Sequence, residues 1–389
     1  MSEARDYTTR ERVLGLLAAY TCVGGTTVAL GLSLPLLPLA IEAAGHSRFF
    51  NGLNAATGAV ALLVTSPLVP WVSARMGTIR LLVVCFLLAS VSLVALPYTP
   101  IWAWFPLRFS LNAALQGLFV ISEIWINTLA PEKARGRLVG IYGIVATAGF
   151  ALGPVVAAQF PLGSPVPFLA GAGAILAGLA PVLAARQVAP PMEQISASGL
   201  LAVAGIALIP IMGAAVHALG ETAATSFLPV FAVREGWLAS DALLLITAFG
   251  VGNVVLQVPI GWLSDVWSRR AVLTGCAALS AVVGLLIPLA SGDPVLLTAL
   301  AFLWGGFLIG IYTVGLTLVG QIFAGPRLAA ASAAFAFAYA AGSILGPGTA
   351  GLAMDIVGGG GLGWFVAVVC GLYAIAGAIA AKRLTSKAR

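Results

Sequence analysis

Along this chain, long hydrophobic runs alternate with short polar breaks. A helix that crosses a bilayer needs about 20 mostly apolar residues. By that criterion the sequence predicts helices over residues 13–41, 51–73, 79–97, 101–129, 138–159 and 164–185. A second set follows over 199–231, 242–264, 271–290, 294–323, 328–353 and 361–381. The polar break between the sets, RQVAPPMEQISAS at 186–198, carries a proline pair. It divides the chain into an N-terminal six-helix bundle (1–185), a cytoplasmic linker (186–198) and a C-terminal six-helix bundle (199–389).

The fourth run departs from the pattern. Residues 107–127, LRFSLNAALQGLFVISEIWIN, contain Arg108, Asn112, Gln116, Glu123 and Asn127. At about 100° per residue these five fall within an arc of roughly 100°. A charge in hydrocarbon is costly, so this stripe faces protein or a water-filled cavity rather than lipid. Two readings fit: a polar seam that only joins helices, or one wall of a solute or ion path.

Composition settles the class. The chain is 60% hydrophobic and 8% charged, against about 25% charged in soluble domains. Continuous apolar runs point to an all-α polytopic membrane protein, since helices satisfy their backbone hydrogen bonds internally, and not to the short alternating segments of a barrel. The net charge of +6 does not mark a nucleic-acid surface, because the cations lie in loops and tails. Twelve spans put both termini on one side. Sixteen of the nineteen Lys and Arg residues lie on that side, Arg48 and Arg234 lie on the other, and Arg108 lies within a span. The termini are therefore expected to be cytoplasmic, in an inner or plasma membrane. The first run is too long for a signal-peptide core and is expected to stay as a helix. Cys22, Cys85, Cys276 and Cys370 fall in four different helices without CxxC spacing, and His46 and His217 are far apart, so neither a metal site nor a cofactor is expected.

The two sets echo each other. Gly149-x-x-x-Gly153-Pro154 in the fifth helix matches Gly342-x-x-x-Gly346-Pro347 in the eleventh. Small residues permit close helix approach, and proline permits a bend. After the second helix the chain reads PLVPWVSARMGTIRLL and after the eighth PIGWLSDVWSRRAVL, so that Ala74 aligns with Asp265 at nearly the same offset. A duplicated six-helix unit suits alternating access, in which two halves rock about a site near the bilayer midplane.

Candidate chemistry lies in few places. The seventh helix carries His217, Glu221 and Thr225 at i, i+4 and i+8, on one face. Glu123 and Glu221 alone among thirteen acidic residues lie deep in predicted spans. A carboxyl group in low dielectric can take and release a proton near neutral pH, as a proton-coupled carrier requires. His217, one turn away, could share that proton. Arg108 and Glu123 are about 22 Å apart along their helix and form no direct pair. Asn253 and Gln257 in the eighth helix, with Thr313, Thr317 and Gln321 in the tenth, extend the polar lining. Trp125, Tyr142, Trp304, Tyr312, Phe335 and Tyr339 offer either aromatic walls for an organic solute or ordinary packing. Gly358-x-Gly360-x-x-Gly363 fits the spacing of a dinucleotide-binding turn but has no strand–helix context, and no phosphate-loop motif occurs. No nucleophile–base pair emerges, so an enzyme is not expected.

Gly261-Trp-Leu-Ser-Asp265-x-x-x-Arg269-Arg270, after the eighth helix, resembles the cytoplasmic-loop signature of the major facilitator superfamily. SEIWIN, RGRLVGIYGIV, QVPIGWLSD and GSILGPGTAG are similar to the YcaD-like branch, and the resemblance covers essentially the whole chain. It implies two six-helix bundles around a central cavity, and secondary active transport. It also implies a latch on the cytoplasmic side in which Asp265 meets the start of the fifth helix near Gly136 and Arg137. In the first half Pro70 and Ala74 replace the signature's Gly and Asp, so the latch is expected to be one-sided. An arginine in the fourth helix is linked to proton coupling in this superfamily, or it holds an anionic solute. The Gly149–Pro154 element is like the superfamily's antiporter motif. The expectation is a monomeric, proton-coupled antiporter exporting a small amphipathic organic solute. The alternatives are a symporter importing an organic anion on Arg108, or a non-transporting receptor or scaffold.

Overall fold

The computed structural model describes residues 8–131, 135–189, 207–290, 292–323, 326–358 and 360–387. Twelve membrane-length helices form there. The first six are α1 (Thr9–Ala43), α2 (Arg48–Met76), α3 (Thr78–Ala95), α4 (Trp104–Leu129), α5 (Arg135–Ala157) and α6 (Val166–Ala177, continued after Gly178 by Leu179–Ala184). The second six are α7 (Leu208–Arg234), α8 (Ala239–Val266), α9 (Arg269–Leu286), α10 (Pro294–Ile322), α11 (Pro326–Val357) and α12 (Gly361–Lys387). The protein is an all-α polytopic membrane protein, and each predicted span has its helix. Most of the predicted linker (190–198) and residues 199–206 of the seventh span lie outside the described residues.

The chain forms two compact units. One comprises Met1–Ser33 and Val60–Ile195; the other comprises Leu34–Ala59 and Ser196–Arg389. The second thus takes in the end of α1, the turn after it and the start of α2. In α1 that division falls beside Pro35 and Pro38. Each proline lacks an N–H and removes one bond from the helical ladder, which lets the helix bend there.

Within each unit, small residues set the closest crossings. In the first, a Cβ added at Gly153 would meet the backbone of Gly31 and Leu32, and one at Gly31 would meet the Phe150 carbonyl, so α5 lies backbone-to-backbone on α1. In the second, Gly342 lies on the Ala215 backbone, while Gly346 meets Thr222 and the Leu219 backbone, so α11 lies on α7 in the same way. The turns repeat as well. Gly45 after α1 and Gly236 after α7 take positive φ, as do Gly163 before α6 and Gly358 before α12. Asp293 caps α10 by accepting from the N–H groups of Val295 (2.9 Å) and Leu296 (3.1 Å). Gly358-x-Gly360-x-x-Gly363 is a helix-to-helix turn whose Gly363 packs on Gly284 of α9.

Candidate functional site

The centre of the second unit holds a hydrogen-bonded titratable cluster. Glu221 stands midway along α7, thirteen residues from either end. His217, one turn earlier, is buried, and its Nδ1 lies 2.9 Å from the Leu308 carbonyl of α10. A carbonyl only accepts, so Nδ1 carries a hydrogen. Nε2 then faces Glu221 Oε2 at 3.5 Å. The Tyr339 hydroxyl of α11 donates to the same oxygen at 2.7 Å. Thr225, expected on this face, is buried and donates to the Glu221 backbone carbonyl at 2.9 Å. Aromatic rings close the cluster: Tyr312 lies 5.1 Å from the His217 ring, 5.0 Å from Phe335 and 5.9 Å from Tyr339. The Glu221 side chain keeps 27% of its exposure.

This geometry makes protonation a structural event. A neutral imidazole with hydrogen on Nδ1 presents a lone pair at Nε2, opposite a carboxylate that also only accepts. One further proton turns that opposition into a charge-assisted contact. With it the His217–Glu221 pair has no net charge; without it the pair carries −1. Glu221 is the only Asp, Glu, Lys or Arg inside the predicted spans of the second half.

In the first unit the α4 stripe is graded. Arg108 is 2% exposed, and its carbonyl accepts from Asn112 Nδ2 at 2.9 Å. Gln116 Nε2 donates to Ser66 Oγ of α2 at 2.8 Å. Glu123 and Asn127 are exposed, and Asn127 Nδ2 donates to the Glu123 carbonyl at 2.8 Å. Trp125, on the opposite side of α4 from that stripe, is fully buried against Gly15 and is a packing residue. Tyr142 is buried, with its hydroxyl 2.9 Å from Ser122 Oγ. Trp304 is likewise buried, edge-on to Phe249. Asn253 is half-buried, and Gln257 is exposed on α8. Thr313 turns its hydroxyl to the Ile309 carbonyl of its own helix.

In the loop signature, Arg269 donates to Asp265 at 2.7 Å, one turn apart, and the Asp265 side chain is 66% exposed. Arg270 and Arg137 are exposed, and Gly261 has open space around its Cα. In the first half, where the acid is Ala74, Arg75 stacks on the Trp71 ring at 3.8 Å.

Sequence reasoning missed a second constellation, at the opposite ends of the helices. Arg48, Glu42, Arg234 and Asp355 form two ion pairs within the second unit: Arg48 with Asp355 at 3.7 Å, and Arg234 with Glu42. The signal was present. Arg48 and Arg234 are the two cations that the topology leaves away from the termini, and one acid near a helix end meets each.

Twelve apolar helices in two units that repeat each other's crossings and turns define a secondary-transporter fold. The profile of the Major Facilitator Superfamily matches residues 16–210 and again 210–388. The chain belongs to that superfamily and is a membrane transporter. It is 25% identical to the MFS-type transporter YfkF of Bacillus subtilis (strain 168) over 346 residues, covering 86% of this chain and 88% of that one. It is 22% identical to the MFS-type transporter YcaD of Salmonella newport (strain SL254) over 334 residues, covering 85% and 86%. Among solved structures it is similar to a point mutant of the nucleoside transporter NupG, with a TM-score of 0.78 at 15% identity, covering 94% of this chain and 98% of that one. The D-xylose–proton symporter matches with a TM-score of 0.69 at 17% identity, covering 94% and 95%. At these identities the structures speak for the fold.

Proposed function

We propose that this transporter exchanges protons for a small amphipathic organic solute that carries a positive charge, and that the His217–Glu221–Tyr339 cluster is where the two compete. The observation that carries this reading is the Leu308 carbonyl on His217 Nδ1, which leaves Nε2 and Glu221 Oε2 in need of one shared proton. When the proton leaves, the pair carries −1 and the partly exposed Glu221 carboxylate accepts a cation; when the proton returns, the cation is released. Exchange of one proton for one monocation leaves the charge of the site unchanged, whereas an anion would require a second proton. Tyr312 and Tyr339 give the solute's apolar part aromatic faces beside the carboxylate.

Outward movement fits proton entry down its gradient, and the Gly149–Pro154 element supports antiport by its likeness to the superfamily's motif. An anion importer needs a cation open to solute, and Arg108 is 2% exposed. With the termini cytoplasmic by cation count, Asp265, Arg269, Arg270, Gly261 and Arg137 stand at the inner face as the latch region.

The test is reconstitution in liposomes containing a pH-sensitive dye, with tetraphenylphosphonium, a neutral aromatic and an aromatic carboxylate as probes. Cation-driven proton flux is expected for the native chain and for Glu123→Gln, and loss of that flux for Glu221→Gln. Proton flux that survives both substitutions overturns the assignment. Flux driven by the carboxylate alone overturns the solute class.

A further inference from the structure

A proline interrupts α11 close to the exchange cluster. Pro347 lies inside that helix and has no N–H, so the carbonyl four residues earlier, that of Ser343, lacks its usual helical partner. The Ser343 side chain adds a second polar group at the same place. It is 8% exposed, and its Oγ makes no hydrogen bond of ordinary geometry among the described residues. A buried hydroxyl in that condition is uncommon and costly, since it forfeits its bonds to water. Helical Ser and Thr avoid the cost by bonding to a carbonyl one turn back, as Thr222, Thr225, Thr313 and Thr349 do here. Ser343 does not.

Ser343 also stands one turn from Tyr339, on the same side of α11. Its Oγ lies within reach of the Tyr339 hydroxyl. That hydroxyl gives its only hydrogen to Glu221 at 2.7 Å and keeps lone pairs that can accept. A hydrogen from Ser343 completes a chain from Ser343 through Tyr339 to Glu221 Oε2. The first unit shows the same proline without this chemistry. Pro154 frees the carbonyl of Phe150, which follows Gly149 as Ser343 follows Gly342. There the side chain is apolar, and the carbonyl is covered by Gly31 of α1. The hydroxyl is present only in the half that holds Glu221.

We propose that Ser343 is the proton relay of the exchange cluster, passing protons between water and the His217–Glu221 pair by way of Tyr339. The proposal rests on the exchange reading given above. A hydronium ion gives a proton to Ser343 Oγ, the Ser343 hydrogen passes to Tyr339 Oη, and the Tyr339 hydrogen passes to Glu221 Oε2. Each hydroxyl oxygen gains one hydrogen and loses one. One proton therefore reaches the pair, a water molecule is left behind, and neither hydroxyl ends ionised. Release runs the same steps backward. The freed Ser343 carbonyl holds the water that starts the chain, as buried waters bind where polar groups lack partners. Ser343 lies beyond Tyr339 toward Val357, so the relay serves the face opposite the termini. It gives the proton a route that a cation resting on the carboxylate does not block.

The test uses the full chain in liposomes with a pH-sensitive dye and tetraphenylphosphonium as the probe. Ser343→Ala is expected to lower the maximal proton flux on the order of tenfold. Affinity for the probe and protons released per cation, both read by calorimetry, should stay native. The ratio of flux in H2O to flux in D2O should rise, since proton delivery becomes the slow step. Ser343→Thr restores a hydroxyl and should recover most of the flux, whereas Ser343→Cys, of similar size but a weak donor, should not. Native maximal flux in Ser343→Ala and Ser343→Cys overturns the relay. So does a loss of flux that comes with weaker probe binding, or one that Ser343→Thr fails to restore, because either marks a structural role. Glu221→Gln in parallel separates the two claims. Flux retained there overturns the exchange reading; flux lost there but native in Ser343→Ala removes the relay alone.

Discussion

Replacing Glu221 by glutamine tests the exchange cluster most directly, because the substitution keeps the shape and removes the competition. In the native cluster Nε2 of His217 faces a carboxylate oxygen, and one proton is needed between them. With its amide nitrogen at the Oε2 position, a glutamine supplies one N–H to Nε2 and the other to the Tyr339 hydroxyl, which then accepts, so both contacts are met without a titrating proton. Folding is therefore expected to survive. Binding changes because the negative charge is lost. A cation 4 Å from a carboxylate gains about 4 kcal/mol at an effective dielectric of about 20. The Glu221 side chain is 27% exposed, and part of that gain replaces hydration, so a net loss of roughly 1–3 kcal/mol is expected, or about tenfold to a hundredfold in Kd. Calorimetry with tetraphenylphosphonium in detergent, repeated in buffers of different ionisation enthalpy, reads affinity and proton release together. The native chain should release one proton per cation as affinity rises with pH; Glu221→Gln should bind weakly, release none and show a flat pH profile. Native-like affinity, or proton release retained in Glu221→Gln, would falsify the cluster's role.

Other substitutions separate the remaining roles. Tyr339→Phe removes a hydrogen bond to a charged acceptor, worth about 1.5–3 kcal/mol; Tm should fall, and because the lost bond favoured the carboxylate, the pH dependence of exchange should move to higher pH, as measured by proton flux across a pH series. Gly153→Ala places a methyl group against the α1 backbone at Gly31 and Leu32. Overpacking of that kind costs about 1–3 kcal/mol, so Tm in detergent should fall measurably, whereas Gly143→Ala, which has open space, should not change it. Asp293→Ala removes the N-cap of α10 and is expected to cost about 1 kcal/mol, read from thermal unfolding. Asp265→Asn alters an exposed one-turn ion pair worth about 0.5 kcal/mol at most; stability should hold while the balance of inward- and outward-open states moves, as read by accessibility labelling.

The fold was legible because lipid leaves few solutions. Length, hydropathy and the repeated Gly–Pro elements led to twelve helices in two related sets, and even the GxGxxG lookalike was recognisable as a turn. The site was legible in part. The i, i+4 spacing of His217 and Glu221 put both on one face, and depth in the span singled out Glu221. What spacing cannot supply is the neighbour from another helix. Nothing at position 308 distinguishes its carbonyl from hundreds of others, yet that carbonyl decides which nitrogen of His217 carries hydrogen. Aromatic residues show the same limit. Tyr339 and Trp125 looked alike in sequence, but one bonds to Glu221 and the other fills a core, because the neighbours each ring meets come from other helices. The ion pairs at the opposite helix ends were overlooked for a different reason. Arg48 and Arg234 were treated as exceptions to a topological count, although cations kept on the unfavoured face are the ones to pair with nearby acids.

The duplication explains the scaffold better than it explains the chemistry. Gly153 on α1 and Gly342 on α7 perform the same close packing in the two units, and the turn glycines repeat with them. The polar groups do not repeat. The first half buries its arginine at one end of α4 and exposes Glu123 toward the other, whereas the second half gathers a histidine, a carboxylate and a phenol at the middle of its helices. The loop signature keeps its acid only in the second half, at Asp265. A symmetric scaffold requires backbones that approach equally closely on both sides, which glycine supplies. An exchange site requires one ionisable pair whose occupancy is exclusive, and two such pairs would permit a proton and a solute to be held together. Introducing a second carboxylate by Val216→Glu, at a buried position next to His217 on α7, is therefore expected to hold the proton more tightly and slow exchange, seen as a lower solute-driven proton flux. An equal or faster flux would count against exclusive occupancy.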